Sequence, residues 1–175
     1  MTSEELWNMA SKELNRSNAD RKHPFVQMVV ATQGKYPELR TVIKRKIDEK
    51  NNIWFYSDSR APKVSQIQDH SETSILFYHP KKMLQIRILG NSKVHFSGKA
   101  YEHHLQVALQ NPKDYLHGNP PGSELRDENP ENGFHFCVIQ FIPESLDILL
   151  LGREKHTRAI YEIKDEKVFG RFVTP

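Results

Sequence analysis

Apolar and polar positions alternate along this chain with two different periods. Near the start, Leu6, Met9, Ala10 and Leu14 recur at helical spacing, so they share one face of a helix. Thr2 followed three residues later by Glu5 reads as a capping box ahead of that run. A helix over residues 3–16 is expected, inside an N-terminal segment of residues 1–20, with His23-Pro24 marking its far side. From there β-branched and aromatic residues take over. Residues 25–32, 39–48 and 53–57 read as three strands, divided by turn-forming residues 33–37 and 49–52. Strands joined by such short turns predict an antiparallel meander.

Pro62 suits the first turn of a helix, where its missing N–H goes unneeded, and residues 62–69 continue it. Strands over 74–79 and 83–96 follow, separated by Pro80-Lys81-Lys82, and Gly98 precedes a helix over 99–110. The segment 111–133 breaks the pattern with Pro112, Pro120, Pro121 and Pro130 among Gly118, Gly122 and Gly133. Loops of that length in a compact domain are functional or mobile. Four apolar runs, 134–141, 145–151, 157–163 and 167–173, complete about nine strands and three helices. The expectation is one domain over residues 1–175, mainly β with peripheral α, built as an antiparallel barrel because closure removes exposed sheet edges.

Composition narrows the partners. Apolar residues make up 37% of the 175, a little low for a compact monomer, which fits burial against another subunit or well-solvated charged faces. The net charge of +3 suits an anionic cofactor or nucleic acid without choosing between them. The single cysteine, Cys137, excludes a disulfide within the chain and any cysteine-built zinc site. It lies in the run Phe136-Cys137-Val138-Ile139 and reads as a buried, inert thiol. No apolar run is long enough to span a bilayer and residues 1–18 hold no signal-peptide core, so a soluble cytoplasmic protein with no membrane partner is expected. Nine histidines form no HExxH pattern, and the adjacent His103 and His104 diverge on a helix, so no metal is expected. Dinucleotide, P-loop and GxSxG signatures are missing as well.

Four polar clusters could carry chemistry. In Arg40-Thr41-Val42-Ile43-Lys44-Arg45, an ideal strand puts Arg40, Val42, Lys44 and Lys46 on one face and Thr41, Ile43, Arg45 and Ile47 on the other. Three cations on one face suit an anion site or a solvated face. In Tyr56-Ser57-Asp58-Ser59-Arg60-Ala61-Pro62-Lys63, a strand hands over to a helix start, where backbone N–H groups, a hydroxyl and two cations make a phosphate site. An ordinary N-terminal turn with solvated charges reads the same way. Gln85 and Arg87 share a strand face, and Arg153 to Arg158 lead into a late strand or form a charged hairpin turn.

The order of these clusters resembles the pyridoxamine 5'-phosphate oxidase family. An RTVIKR strand is followed by FYSD, by a helix starting near Lys63, by LQIRILG, and at the end by GRFVTP. The resemblance covers about residues 25–98 and 141–175. It implies an FMN-binding split barrel, with the flavin held at a homodimer interface and a small-molecule substrate. Carried over by position, Arg40 and Lys63 would hold the FMN phosphate. Thr41, Val42, Ile43, Lys44 and Arg45 would line the cofactor together with Tyr56, Ser57, Arg60, Gln85 and Arg158. Arg45 and His156 would contact substrate. The 111–133 loop has no match to the family's central substrate-binding segment, and it is expected to cover the flavin across the dimer. Some positions depart from the oxidases: Pro62 stands where they carry arginine, Glu154 interrupts the late Arg-x-His pattern, and Leu149-Leu150-Leu151 replace a late tryptophan. The resemblance therefore implies an FMN-dependent oxidoreductase of open substrate. The alternatives are pyridoxamine 5'-phosphate oxidation itself and a non-enzymatic flavin- or haem-binding barrel, with nucleic acid as the partner least suggested.

Overall fold

The computed structural model describes residues 1–116, 118–124, 133–164 and 167–175. Helix α1 (Ser3–Ala19) begins with the expected capping box: Glu5 N–H donates to the Thr2 hydroxyl at 3.1 Å and Thr2 N–H donates to the Glu5 carboxylate at 2.7 Å. It runs three residues beyond the expected end, and Leu6 and Ala10 are fully buried. A short 3-10 turn (Pro24–Val26) occupies what the residue pattern suggested as the first strand's start, because His23 caps it by accepting from Phe25 N–H at 3.1 Å. Then come β1 (Gln27–Gln33), β2 (Pro37–Ile47), β3 (Ile53–Ser57), α2 (Pro62–Asp69), β4 (Glu72–His79), β5 (Leu84–His95) and α3 (Lys99–Ala108). After a second 3-10 turn (Pro112–Tyr115), β6 (Cys137–Leu150), β7 (Thr157–Lys164) and β8 (Lys167–Val173) end the chain. Among the described residues, no helix is long and apolar enough to cross a membrane.

Every strand pairing is antiparallel, in the order β3-β2-β1-β4-β5-β6-β7-β8, and an additional β3–β6 pairing closes the first six strands into a barrel. This is a mainly β, antiparallel split barrel, as expected. Strand β6 makes the split. Its Cys137–Phe141 half pairs with β3 and its Ser145–Leu150 half pairs with β7, while β5 runs beside both. The two apolar runs expected as separate strands are therefore one, giving eight strands among the described residues. Proline can join them because Pro143 falls in the gap between the β3 and β7 partners, opposite Gly90 and next to Glu144, the extra residue of a β6 bulge.

Phe25, Met28, Val30, Phe55, Phe77, Ile86, Ile139 and Phe141 fill the barrel and are at most 1% exposed. A second aromatic cluster lies outside it, where Trp54 and Val138 pack with Ala108, Tyr115 and Phe136. Strand β2 carries the one departure from ideal alternation that bears on function. Lys44 pairs with Phe55 and Lys46 with Trp54, so Arg45 is an extra residue opposite nothing. The bulge corrects the expected faces. Arg40, Val42 and Lys44 do turn inward, but Lys46 is exposed and Ile47 buried. No single face carries three cations.

Candidate functional site

Two of the expected phosphate ligands converge where β2 meets the start of α2. Arg40 donates to the Thr32 hydroxyl at 2.5 Å, to the Glu38 carbonyl at 3.0 Å and to the Glu38 carboxylate at 3.1 Å. Gln66 joins the group by donating to Glu38 at 2.8 Å and accepting from Thr32 at 2.6 Å. Lys63, in the first turn of α2, reaches back to the Ser57 hydroxyl at 3.0 Å. Burial pushes the Lys63 ammonium below its ordinary pKa and Arg40 pushes it the same way, opposed by the weaker pull of Cys137 and Asp58. The first turn of α2 has Ala61 at its N-cap and no side-chain cap; Pro62 has no N–H and Val64 N–H is taken by the Ala61 carbonyl at 2.8 Å, so the Lys63 N–H is the backbone donor of that turn beside those cations. Two neighbouring cations, a hydroxyl and an uncapped helix start form a cradle that an anion would stabilise. Cys137 borders it, with its thiol 3.6 Å from the Ser57 carbonyl and pushed by burial to about 12, which leaves it unreactive.

The other expected cofactor ligands lie around this cradle or away from it. Arg60 is held by Asp58 through its Nε at 3.1 Å and its NH2 at 2.8 Å, and it donates to the Gly118 carbonyl at 3.1 Å. It ties the 111–133 loop to the strand end. The remainder of that loop, residues 117 and 125–132, lies outside the described residues. Lys44 points at the end of α1, donating to the Ser17 carbonyl at 3.2 Å and the Asn18 side chain at 3.1 Å, and burial lowers its pKa to about 8. Val42 packs against the core, while Thr41 and Ile43 face outward. Arg45 leaves the bulge outward, with its guanidinium 4.8 Å from the centre of the Tyr56 ring.

A third group sits on the outer face of β5, β6 and β7. Gln85 and Arg87 point out from β5. Arg87 and Arg158 share the buried Asp147 carboxylate, Arg158 through its Nε at 2.9 Å and its NH2 at 2.7 Å. The two arginines hold the carboxyl of Asp147 below its ordinary value. His156 is exposed in the β6–β7 connection. Among the described residues, no hydrogen bond or ion pair joins this group to the Arg40–Lys63 cradle.

The sequence profile of the pyridoxamine 5'-phosphate oxidase, FMN-binding domain family matches residues 4–96, just over half of the chain. The chain belongs to this family. Its fold is shared by a pyridoxamine 5'-phosphate oxidase-related, FMN-binding protein from Nostoc punctiforme, at 23% identity and TM-score 0.74, with 96% of each chain covered. PhzG from Burkholderia lata, solved in complex with tetrahydrophenazine-1-carboxylic acid, is similar at 15% identity and TM-score 0.74, covering 96% of this chain and 91% of its own. HupZ of Group A Streptococcus is similar at 18% identity and TM-score 0.55, covering 87% of this chain and 97% of its own. No curated protein matches the sequence.

Within the family frame, several motif residues take structural meaning. Gly90, which ends LQIRILG, faces the β6 bulge at Glu144, and a Cβ on it would lie 2.1 Å from the Ile142 carbonyl oxygen. Other residues of the site had no local signal. Thr32 and Gln66 meet Arg40 from 8 and 26 residues away, and His104 meets the Tyr56 hydroxyl at 2.9 Å from 48 residues away. Among the described residues one group has the make-up of a metal site: Glu13, His23 and His79, all buried. Its hydrogen bonds favour another role. His23 and His79 accept backbone N–H donors from Phe25 and Lys82 on their Nδ1 atoms, at 3.1 and 3.3 Å. That places each proton on Nε2, aimed at the Glu13 carboxylate 3.0 and 3.6 Å away. A metal would need those same Nε2 lone pairs. The group therefore acts as a set of donors around one carboxylate.

Proposed function

We propose that the protein is an FMN-binding flavoprotein that acts as an oxidoreductase on a small anionic substrate, as a homodimer. The observation that carries this reading is the convergence of Arg40, Lys63 and the Ser57 hydroxyl at the uncapped start of α2. The mutual repulsion of the two cations and the burial of Lys63 are both relieved by a phosphate dianion. Flavin, when bound, supplies the hydride chemistry. The chain's own residues then have four tasks. Arg40 and Lys63 neutralise the phosphate, Ser57 orients Lys63, and Thr32 and Gln66 fix Arg40. Arg45, which has no carboxylate partner among the described residues, receives the anionic group of the substrate.

A second copy would complete the remaining assignments. Gln85 and Arg158 face outward on β5 and β7, apart from the cradle of their own chain, so they serve the flavin of a partner. Beside Gln85, the outward side chains of Tyr78 on β4 (43% exposed) and Leu89 on β5 (44% exposed) add apolar surface that a partner would cover. The test is the visible spectrum of purified protein incubated with FMN and desalted, with its mass by light scattering. Flavin bands at one per chain and twice the 20.4 kDa chain mass are expected. A folded, colourless monomer would contradict the reading. Turnover of pyridoxamine 5'-phosphate would narrow it to the oxidase proper, and flavin retention without turnover of any amine or alcohol donor would favour a binding module.

A further inference from the structure

The site proposed above contains an arginine whose posture is set from outside the matched region. Arg45 is the extra residue of the β2 bulge, so no ladder pairing orients it. Its guanidinium is instead placed by two phenols, with the Tyr56 ring 4.8 Å beneath it and the Tyr115 hydroxyl beside it. Tyr56 is in turn fixed by His104, whose Nδ1 lies 2.9 Å from the phenol oxygen. His104 is 7% exposed and its ring stacks on Trp54 with centroids 4.9 Å apart. Trp54 is itself anchored by its indole N–H on Asp48 at 2.9 Å. The chain of contacts runs from Asp48 through Trp54, His104 and Tyr56 to Arg45.

Simple packing does not account for His104. A phenylalanine would stack on Trp54 without the penalty of burying an imidazole. The buried nitrogen has a use only as the partner of Tyr56. Protonation states agree. Burial carries the Tyr56 phenol to about 12, so it remains a donor. Burial first, then His103, Lys46 and His95, carry His104 down to about 4, so at neutral pH its Nδ1 can accept. The family profile ends at residue 96, before α3 and the 3-10 turn that supply His104 and Tyr115.

We propose that His104 is a positioning residue which, through Tyr56, holds Arg45 as the anion-binding arm of the site, so that α3 helps to decide which anions are accepted. One face of the guanidinium is taken by the Tyr56 ring, and the free edge suits the two oxygens of a phosphate or carboxylate. The proposal rests on the reading of Arg45 as the substrate's anion ligand, and the test separates the two.

FMN-saturated protein is titrated calorimetrically with phenyl phosphate and with benzoate, which distinguish the two anion classes. Arg45→Ala is expected to abolish binding of the preferred probe. His104→Phe, which keeps the stack but removes the acceptor, is expected to weaken it about tenfold, as one orienting hydrogen bond to a charged site allows. His104→Asn, whose Oδ1 can stand in place of Nδ1, is expected to stay within about twofold of the parent. FMN affinity is expected to be unchanged in both His104 variants. Tyr56→Phe repeats the test on the other partner if His104→Phe does not fold. Parent-like binding in His104→Phe or Tyr56→Phe, with Arg45→Ala defective, would overturn the positioning role alone. Parent-like binding in Arg45→Ala would overturn the anion arm itself.

Discussion

At Glu13 a carboxylate shut away from water is held ionised by donors from three parts of the chain. His23 precedes the first 3-10 turn, His79 ends β4, and Lys82 follows it. Burial opposes ionisation, but Lys82 and His23, aided by Arg16, outweigh it and carry the carboxyl from 4.5 to about 2. The folded value lies below the unfolded one, so the ionised form stabilises the fold above pH 4.5 and that contribution drains away as pH falls towards 2. Glu13→Gln is expected to destabilise the protein near neutral pH by about 2–3 kcal/mol, because it strands the donors around it. The gap from the parent should narrow between pH 4.5 and 2. Urea unfolding midpoints across that range check it, and a gap independent of pH would rule the carboxylate out as the cause. At this scale the sequence is legible only in part. Arg40 and Lys63 can be picked out as candidates because their motifs stand in a recognisable order. Lys44 sits in the same motif and reads as a ligand, since a strand pattern does not reveal that the end of α1 will cover it. Glu13 gives no signal at all, its partner Lys82 lying 69 residues away.

Elements are read best where local rules decide them. The capping box starts α1, and Pro62 starts α2 where the sequence places it. β6 is misread as two strands because Pro143 breaks the apolar run, and only the change of partner from β3 to β7 makes a proline harmless there. The β2 bulge is equally hidden, since nothing in RTVIKR marks Arg45 as the extra residue. The β6 bulge at Glu144 yields a prediction at the Gly90 it faces. With Ile142 O 2.1 Å from where a Cβ would stand at Gly90, the β5 and β6 backbones must separate to admit any side chain. Gly90→Ala is expected to cost about 1–3 kcal/mol, the range of overpacking. Thermal melts monitored by far-ultraviolet circular dichroism measure it, and a loss below the scatter of surface substitutions would mean that the bulge relaxes freely.

The whole molecule divides into a closed six-stranded barrel and a sheet extension that share β6. Antiparallel closure could be anticipated from short turns and strand count, but the split could not, because it depends on one long strand serving two sheets. In the proposed reading a second copy completes the candidate site. The Arg40–Lys63 cradle lies by α2, the Gln85–Arg158 face lies on β5 and β7, and the exposed Tyr78 lies opposite Gln85. A second copy, packed on that face, would bring cradle and face together. The proposed flavin binding depends on the cradle. The most direct measurement is the FMN dissociation constant, from quenching of flavin fluorescence, for the parent and for the Arg40→Ala/Lys63→Ala double variant. Both substitutions remove a cation without emptying the core, so folding can be verified by circular dichroism. The expected result is tight binding by the parent and a loss of at least a hundredfold in the variant, in line with about 1.5–3 kcal/mol for each charge-assisted bond. Equal affinity in the two proteins would contradict the assignment of Arg40 and Lys63 to the flavin phosphate.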